Sequence, residues 1–595
     1  MAQLAQATRT AATIKPKPRM LVSPAARPAP AAAAPPTEGA ERAAAGPFSE
    51  SEVFVTSVGF YQEKGVNAWL DGPVPFAISN TRMLAKGTAA VLAAAFVPAL
   101  TSGPRPAGAG APLPFAVVEM GAGVCAFGYH LASCLADLEL PVGFCVVMAD
   151  ISAGVVASRS KHPAFRTMLA RGQVDFVHIA PDAKGVETAR LLHRGCSVGE
   201  LLAGCGAAAV SCNYLIDSLR SDLYLRQHEG VQPIAVARRY LGKGQPDPDP
   251  DSCGFEFGLV ASDCDGANGA NDDDRDAAAI YARPGTARAL RRLSASVPAG
   301  SPFLFPLGAV EMFDNIVAAT AQQRTPIPVL AVVSDKTCYD DDYLVPTDPP
   351  PGLARHGVNG CYSVAVNMSQ LATALGASLA VHSLKESNIF ESSTFLLGSG
   401  DAADRVAAAV GAAHRRELGV FGGGEWELLW TALEDRWKGL AAACSLSLGA
   451  IADLVNLSGW DYDLFKLVRW HARAALADAD VDDARRQRWL RLGERCFARR
   501  YELSAATHVR HELLQHCRWL YSLGAHGAAI AHIGSAALTT DPRLGFLRLC
   551  CLAKLGRSDS QGKSALEPGS ASPPPKRLRV AGVAADTGPK RAALL

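Results

Sequence analysis

Four residues in the first third of the chain have the types and spacing of a nucleoside site. In VVEMGAGVCAFGYHLA (117–132) an apolar run ends in Glu119, and Gly121 and Gly123 follow at alternate positions. Asp150 closes the next apolar run, GFCVVMAD. Ligands of open α/β sheets sit beyond the carboxyl ends of the strands, where an acid on the second strand can accept both ribose hydroxyls. Glu119 would then end one strand, the glycines would form the turn, and Phe127 to Leu135 would run down a helix.

Three readings of this loop stay open. A dinucleotide enzyme needs a third glycine and a helix N-terminus facing a pyrophosphate, and the third glycine is replaced by Cys125. An S-adenosylmethionine enzyme has no phosphate to bind. Its loop curves around the methionine part, and an acid ending the first strand suits that ligand's ammonium indirectly. The ExGxG spacing after Val117-Val118 favours the methyl donor. The third reading is a tight strand-to-helix turn, which needs a glycine for its backbone alone.

The elements that must position these residues follow from the hydrophobic pattern. FAVVEM, GFCVVMAD, VDFVHIA, AAAVSCNYLI and IPVLAVVSD are continuous apolar runs separated by helical patterns. Continuous hydrophobicity predicts strands covered on both faces, as in a parallel sheet with crossover helices. A Rossmann-like, doubly wound α/β domain is therefore expected over 51–401. It has lead-in helices at 51–100, the second capped near Ser79 or Asn80, and an acidic loop inserted at 243–280. From 402 to 557 the text turns helical, and Leu-Gly pairs at 492–493, 523–524 and 555–556 suggest tetratricopeptide-like helix pairs crossing at the glycines; an ordinary helical bundle is the alternative. Residues 1–50 read as a disordered or targeting segment, Arg- and Ala-rich without an acid through 37, and 558–595 as a disordered tail with a short basic cluster.

Composition narrows the partners. With 58 basic and 57 acidic side chains the net charge is +1, which gives no electrostatic case for nucleic acid. Apolar stretches such as AAVLAAAFVPAL fall short of the roughly 18 to 20 residues that span a bilayer, so no membrane span is expected. The 15 cysteines form no CxxC pair and have no His-rich cluster beside them. They read as buried thiols of a reducing compartment, and no metal is expected.

Several blocks in order, VVEMGAGVCAFGYHL, FCVVMADIS, HPAFRTMLARGQVDFVHIAPDA, SCNYLIDSLRSDLY and HGVNGCYSVAVNMSQLATALGA, resemble the MidA-like family of S-adenosylmethionine-dependent methyltransferases over about 53–400. The likeness is greater to a branch with tetratricopeptide-like helices after the catalytic domain. It implies a sheet of the class I methyltransferase type with S-adenosylmethionine as cofactor. Glu119, Gly121, Gly123 and Cys125 would lie along the donor's methionine end, Asp150 at its ribose and Asp182 near its adenine. Asn213 and Asp217 would be catalytic residues at the methyl acceptor. Tyr214 stands where the better known members carry a glutamate, which leaves proton removal from the acceptor without an assigned base. The residues themselves also allow Asn213 and Asp217 to be helix caps, and His356 in RHGVNG to be either a residue near the site or a surface histidine.

The expected function is thus methyl transfer to a protein side chain, arginine included, with the helical region engaging a protein substrate or partner. The alternative from another class is an interaction scaffold whose methyltransferase-like domain has lost turnover. Cys125 and Tyr214 favour that alternative, and the acids and glycines of the loop oppose it.

Overall fold

The computed structural model describes residues 47–50, 52–70, 79–101, 114–228, 230–240, 253–259, 284–320, 328–337, 353–356, 361–383, 390–398, 400–419, 447–476, 481–501, 506–535 and 541–556. The expected targeting segment (save 47–50), the tail from 558 and the acidic insertion lie outside them. The exception within the insertion is Cys253–Leu259, a strand paired antiparallel with Val231–Tyr240. The chain forms two compact units, 1–459 and 460–595. The region expected to be helical from 402 onward is divided between them, because the helices Asp401–Glu417 and Leu448–Leu457 belong to the first unit.

The first unit is built on seven strands: β1 (Phe115–Met120), β2 (Phe144–Asp150), β3 (Val174–His178), β4 (Ala207–Asn213), β5 (Val329–Asp335), β6 (Leu379–His382) and β7 (Glu391–Leu397). Their order across the sheet is β3-β2-β1-β4-β5-β7-β6. The first five pair in parallel and β7 runs antiparallel to both neighbours. All of β1 is buried, as a continuous apolar run requires when helices cover both faces. After β3 the chain returns to the other side of β1 to form β4, which places the topological switch between the carboxyl ends of β1 and β4. This mixed, mostly parallel sheet agrees with the methyltransferase-like fold expected from the sequence. A separate four-stranded sheet and a two-stranded hairpin, Leu353–His356 with Cys361–Val364, complete the strands; His356 ends the first arm of that hairpin.

Helices pack the sheet from both sides. The lead-in segment forms α1 (Glu52–Lys64), α2 (Asn67–Leu70) and α3 (Arg82–Thr101). The α3 cap is Thr81 rather than Ser79 or Asn80, since Thr81 Oγ1 accepts the Leu84 amide at 3.2 Å. By length and composition α3 could cross a membrane, which the shorter apolar runs read alone did not suggest, yet Leu84, Val91, Leu92 and Phe96 are buried. Its buried Arg82 is paired, with Nη2 2.6 Å from Asp137 Oδ2 and Nε 2.6 Å from the Gly459 carbonyl. Gly87 lets the chain after Asp401–Glu417 approach closely, because a Cβ there would meet Leu418 Cδ2 at 2.5 Å.

The second unit contains α4 (Tyr462–Leu476), α5 (Asp483–Ala498), α6 (Ala506–Ser522), α7 (His526–Ser535) and α8 (Pro542–Lys554). The three Leu-Gly pairs are not equivalent here. Gly493 lies inside α5, where a Cβ would meet Trp519 Nε1 at 2.6 Å, a true close crossing. Gly524 and Gly556 instead follow the ends of α6 and α8 with φ of 80° and 64° and open space where a Cβ would stand, so they end helices rather than letting them cross.

Candidate functional site

A cleft with about 960 Å³ of empty volume, open solvent included, lies at the switch between β1 and β4. Glu119, Gly121 and Gly123 line it from β1 and the following turn, Asp150 from the end of β2, and Asn213 and Tyr214 from the end of β4. Tyr61 and Trp69 of the lead-in helices supply an aromatic wall, with ring centroids 5.6 Å apart.

The turn after β1 needs its glycines. Gly121 and Gly123 have φ of 68° and 51°, the left-handed region that a side chain makes costly. A Cβ on Gly123 would also stand 2.8 Å from Trp69 Cζ2. Cys125 shares this strain, with φ 60° at the N-cap of the helix Ala126–Asp137. It does not line the cleft: the residue is buried, and its thiol donates to the Gly123 carbonyl with Sγ and O 3.7 Å apart. Burial, with the nearby Glu119 and Asp150 carboxyls, pushes that thiol well above the ordinary range, so it stays protonated and unreactive.

Glu119 is the unusual acid. It is 3% exposed, and its Oε2 has no hydrogen-bond partner among the described residues. Burial, only partly offset by the Gly128 amide, raises its pKa to about 8, with the Asp150 charge adding to the rise. Gly128 makes room for this carboxyl, since a Cβ there would fall 2.7 Å from Met148 Cγ and closer still to Glu119 Oε2. Across the cleft Asn213 has a matching defect, a buried Nδ2 donor without a hydrogen-bond partner among the described residues. One buried acceptor and one buried donor are thus left over in the lining of a single cleft. Orphans of this kind are costly unless a ligand or water satisfies them.

Asp150 holds the loop together. Its Oδ2 accepts the Gly123 amide and its Oδ1 the Ser152 amide, both at 2.8 Å. Burial raises its pKa and these amides oppose the rise. Each carboxylate oxygen can accept a second bond, which leaves capacity for ligand hydroxyls.

The other sequence-chosen acids lie off the cleft wall. Asp182 is not in the lining, although Pro181 is; its Oδ1 accepts the Lys184 amide at 3.0 Å and its Oδ2 lies 3.7 Å from Arg220 Nη2. Asp217 is buried beneath the β4 exit, with Oδ1 accepting from Ser218 Oγ at 3.0 Å and Oδ2 4.0 Å from Lys336 Nζ. Tyr214 takes φ 49° and packs on Phe390 at 4.8 Å, with Lys336 Nζ 5.5 Å from its ring centre.

Sequence reasoning missed Asp335, which fixes this turn. Its Oδ2 accepts the amides of Leu215, Ile216 and Asp217 at 3.1, 2.7 and 3.2 Å, and its Oδ1 accepts that of Lys336 at 2.8 Å. Burial and the neighbouring Asp217 push its pKa up while the amides pull it down. The signal was present, because Asp335 ends the run IPVLAVVSD just as Asp150 ends GFCVVMAD.

No protein-family model and no curated protein matches the chain. Two solved structures from Burkholderia thailandensis are similar to it, both from the superfamily that includes the MidA-like proteins. One, an uncharacterized member, shares 14% identity with a TM-score of 0.32, covering 60% of this chain and 90% of its own. The other, considered a methyl transferase and bound to S-adenosyl-homocysteine, shares 14% identity with a TM-score of 0.35, covering 61% and 91%.

Proposed function

We propose that the first unit is an S-adenosylmethionine-dependent methyltransferase domain. The observation that carries this reading is the Glu119 carboxyl, buried at the cleft with an unpaired oxygen. A cationic ligand group would stabilise its ionised form, and the ammonium of a methionyl moiety supplies one. Asp150 would take the ribose hydroxyls on its spare lone pairs, while the Gly121–Gly123 turn bends around the methionyl chain. A pyrophosphate ligand fits less well, because Cys125, Ala126 and Phe127 at the start of the following helix do not line the cleft.

When bound, the donor supplies a methyl group on a sulfonium, already a good leaving group. The work left to the protein is alignment and exclusion of water. Asn213 would orient the acceptor through its unpaired Nδ2. Asp217 and Asp335 would act through the turn, Asp335 by gripping three of its amides. A protein side chain, arginine included, is the acceptor class we infer from the sequence resemblance, with the helical unit as the tetratricopeptide-like partner module.

One observation favours a second reading, an interaction scaffold without turnover. The resemblance puts a glutamate where Tyr214 stands, and the carboxyls lining the cleft among the described residues are Glu119 and Asp150, both assigned to the donor. Thermal shift of the full chain with S-adenosylmethionine, S-adenosylhomocysteine, a nicotinamide dinucleotide and ATP tests the proposal, since a ligand of the native state raises apparent stability. Stabilisation by the first two alone is expected. Stabilisation by the dinucleotide alone, or by none, would overturn it.

A further inference from the structure

The second unit brings together a glutamate and two histidines that no sequence motif joins. Glu494 lies on α5, His516 on α6 and His532 on α7, and one ligand atom from each falls within 4.8 Å of the others. His532 Nε2 is 3.1 Å from Glu494 Oε2, and His516 Nε2 is 3.6 Å from the same oxygen, beyond hydrogen-bond length. The His516 ring is 1% exposed, and neither of its nitrogens has a hydrogen-bond partner among the described residues. A fully buried imidazole aimed at a shared carboxylate oxygen without bonding to it is an unsatisfied group that needs an explanation.

We propose that Glu494, His516 and His532 bind a divalent transition-metal ion of the zinc type. Metal–ligand bonds of about 2.1 Å in tetrahedral geometry set neighbouring ligand atoms roughly 3.4 Å apart, a separation that the two contacts of 3.1 and 3.6 Å bracket. Two imidazoles and a carboxylate suit zinc, cobalt or nickel, whereas calcium and magnesium prefer all-oxygen sets. The rings are held in place. His516 stacks on Phe497 at 3.8 Å with a 1° interplanar angle, and His532 stands edge-on to the same phenyl ring at 5.3 Å.

The ion would give His516 Nε2 the partner it lacks and pin three successive helices at one point. Three protein ligands leave a fourth position, and the His532 and Glu494 side chains are 30% and 38% exposed, so water can reach it.

The test uses the full chain, stripped with a chelator and titrated with Co²⁺. One equivalent should bind with the visible d–d bands of a four-coordinate ion, without thiolate charge-transfer bands, and Zn²⁺ should displace it. Glu494→Gln and His532→Gln, each checked for fold by circular dichroism, should weaken cobalt binding by at least about tenfold, the scale lost even when only a supporting residue of a metal site is changed. Absence of four-coordinate cobalt in the wild type would overturn the proposal. So would thiolate bands, which would put the ion on cysteines, or binding that neither substitution alters.

Discussion

Replacing Glu119 by glutamine separates the cost of burying a carboxylate from every other feature of the cleft. The side chain keeps its size, and the ionisable group disappears. In the folded chain Glu119 titrates near 8, against 4.5 ordinarily, because burial disfavours its charge. Between those values the native state binds more protons than the unfolded state, so stability falls as pH rises. The proton-linked stability is complete below about 4.5 and is lost as pH rises through about 8. At about 1.36 kcal/mol per pH unit, the span caps the loss at about 5 kcal/mol. Glu119→Gln should therefore match wild type at pH 4.5 and exceed it in stability by up to that amount above pH 8. Urea melts of both proteins in ligand-free buffer across pH 5 to 9 measure the difference. The same substitution should weaken S-adenosylmethionine binding by about 1.5 to 3 kcal/mol, the scale of a hydrogen bond to a charged group. Parallel pH profiles for the two proteins would refute the reasoning, because Glu119 would then not be a buried acid of raised pKa.

Other substitutions test the supports of the site. Asp335→Ala removes the acceptor of three turn amides and should cost about 3 to 5 kcal/mol in chemical denaturation, with Asp335→Asn recovering part; a loss under 1 kcal/mol would show that the turn holds without it. Cys125→Gly relieves a left-handed φ but gives up a small buried side chain, so it should melt within about 1 kcal/mol of wild type, whereas Cys125→Val, β-branched at that φ, should lose about 2 kcal/mol or more. The reverse ranking in thermal melts would contradict the backbone account. Gly123→Ala should weaken donor binding at least about tenfold by calorimetry, because its methyl meets Trp69 at a positive φ; undiminished affinity would detach this turn from the ligand.

The sheet was legible where its strands are apolar. FAVVEM, GFCVVMAD and IPVLAVVSD read directly because a strand covered on both faces has to be hydrophobic throughout. Strand β7 escaped notice because it begins Glu-Ser-Ser-Thr, four buried polar residues. Its hydroxyls are satisfied by other elements of the fold: Ser392 by Ser334 at 2.9 Å, Ser393 by His382 at 2.9 Å and Thr394 by His414 at 2.7 Å. No local pattern can announce such partners. Of the residues lining the cleft, Glu119, Asp150 and Asn213 could be picked out as candidates because strand ends are where sheet ligands sit. Trp69 was not, since its place against Gly123 depends on how the lead-in helices fold back. The Leu-Gly spacing misled for a different reason: glycine serves close crossings and helix ends alike, and only the backbone angle tells them apart.

The most direct measurement is a crystal structure of the chain with S-adenosylhomocysteine. The account predicts the ligand in the β1–β4 cleft, its amino group hydrogen-bonded to Glu119 and its ribose hydroxyls to Asp150. A ligand bound elsewhere, or seated there with Glu119 still unpaired, would contradict it.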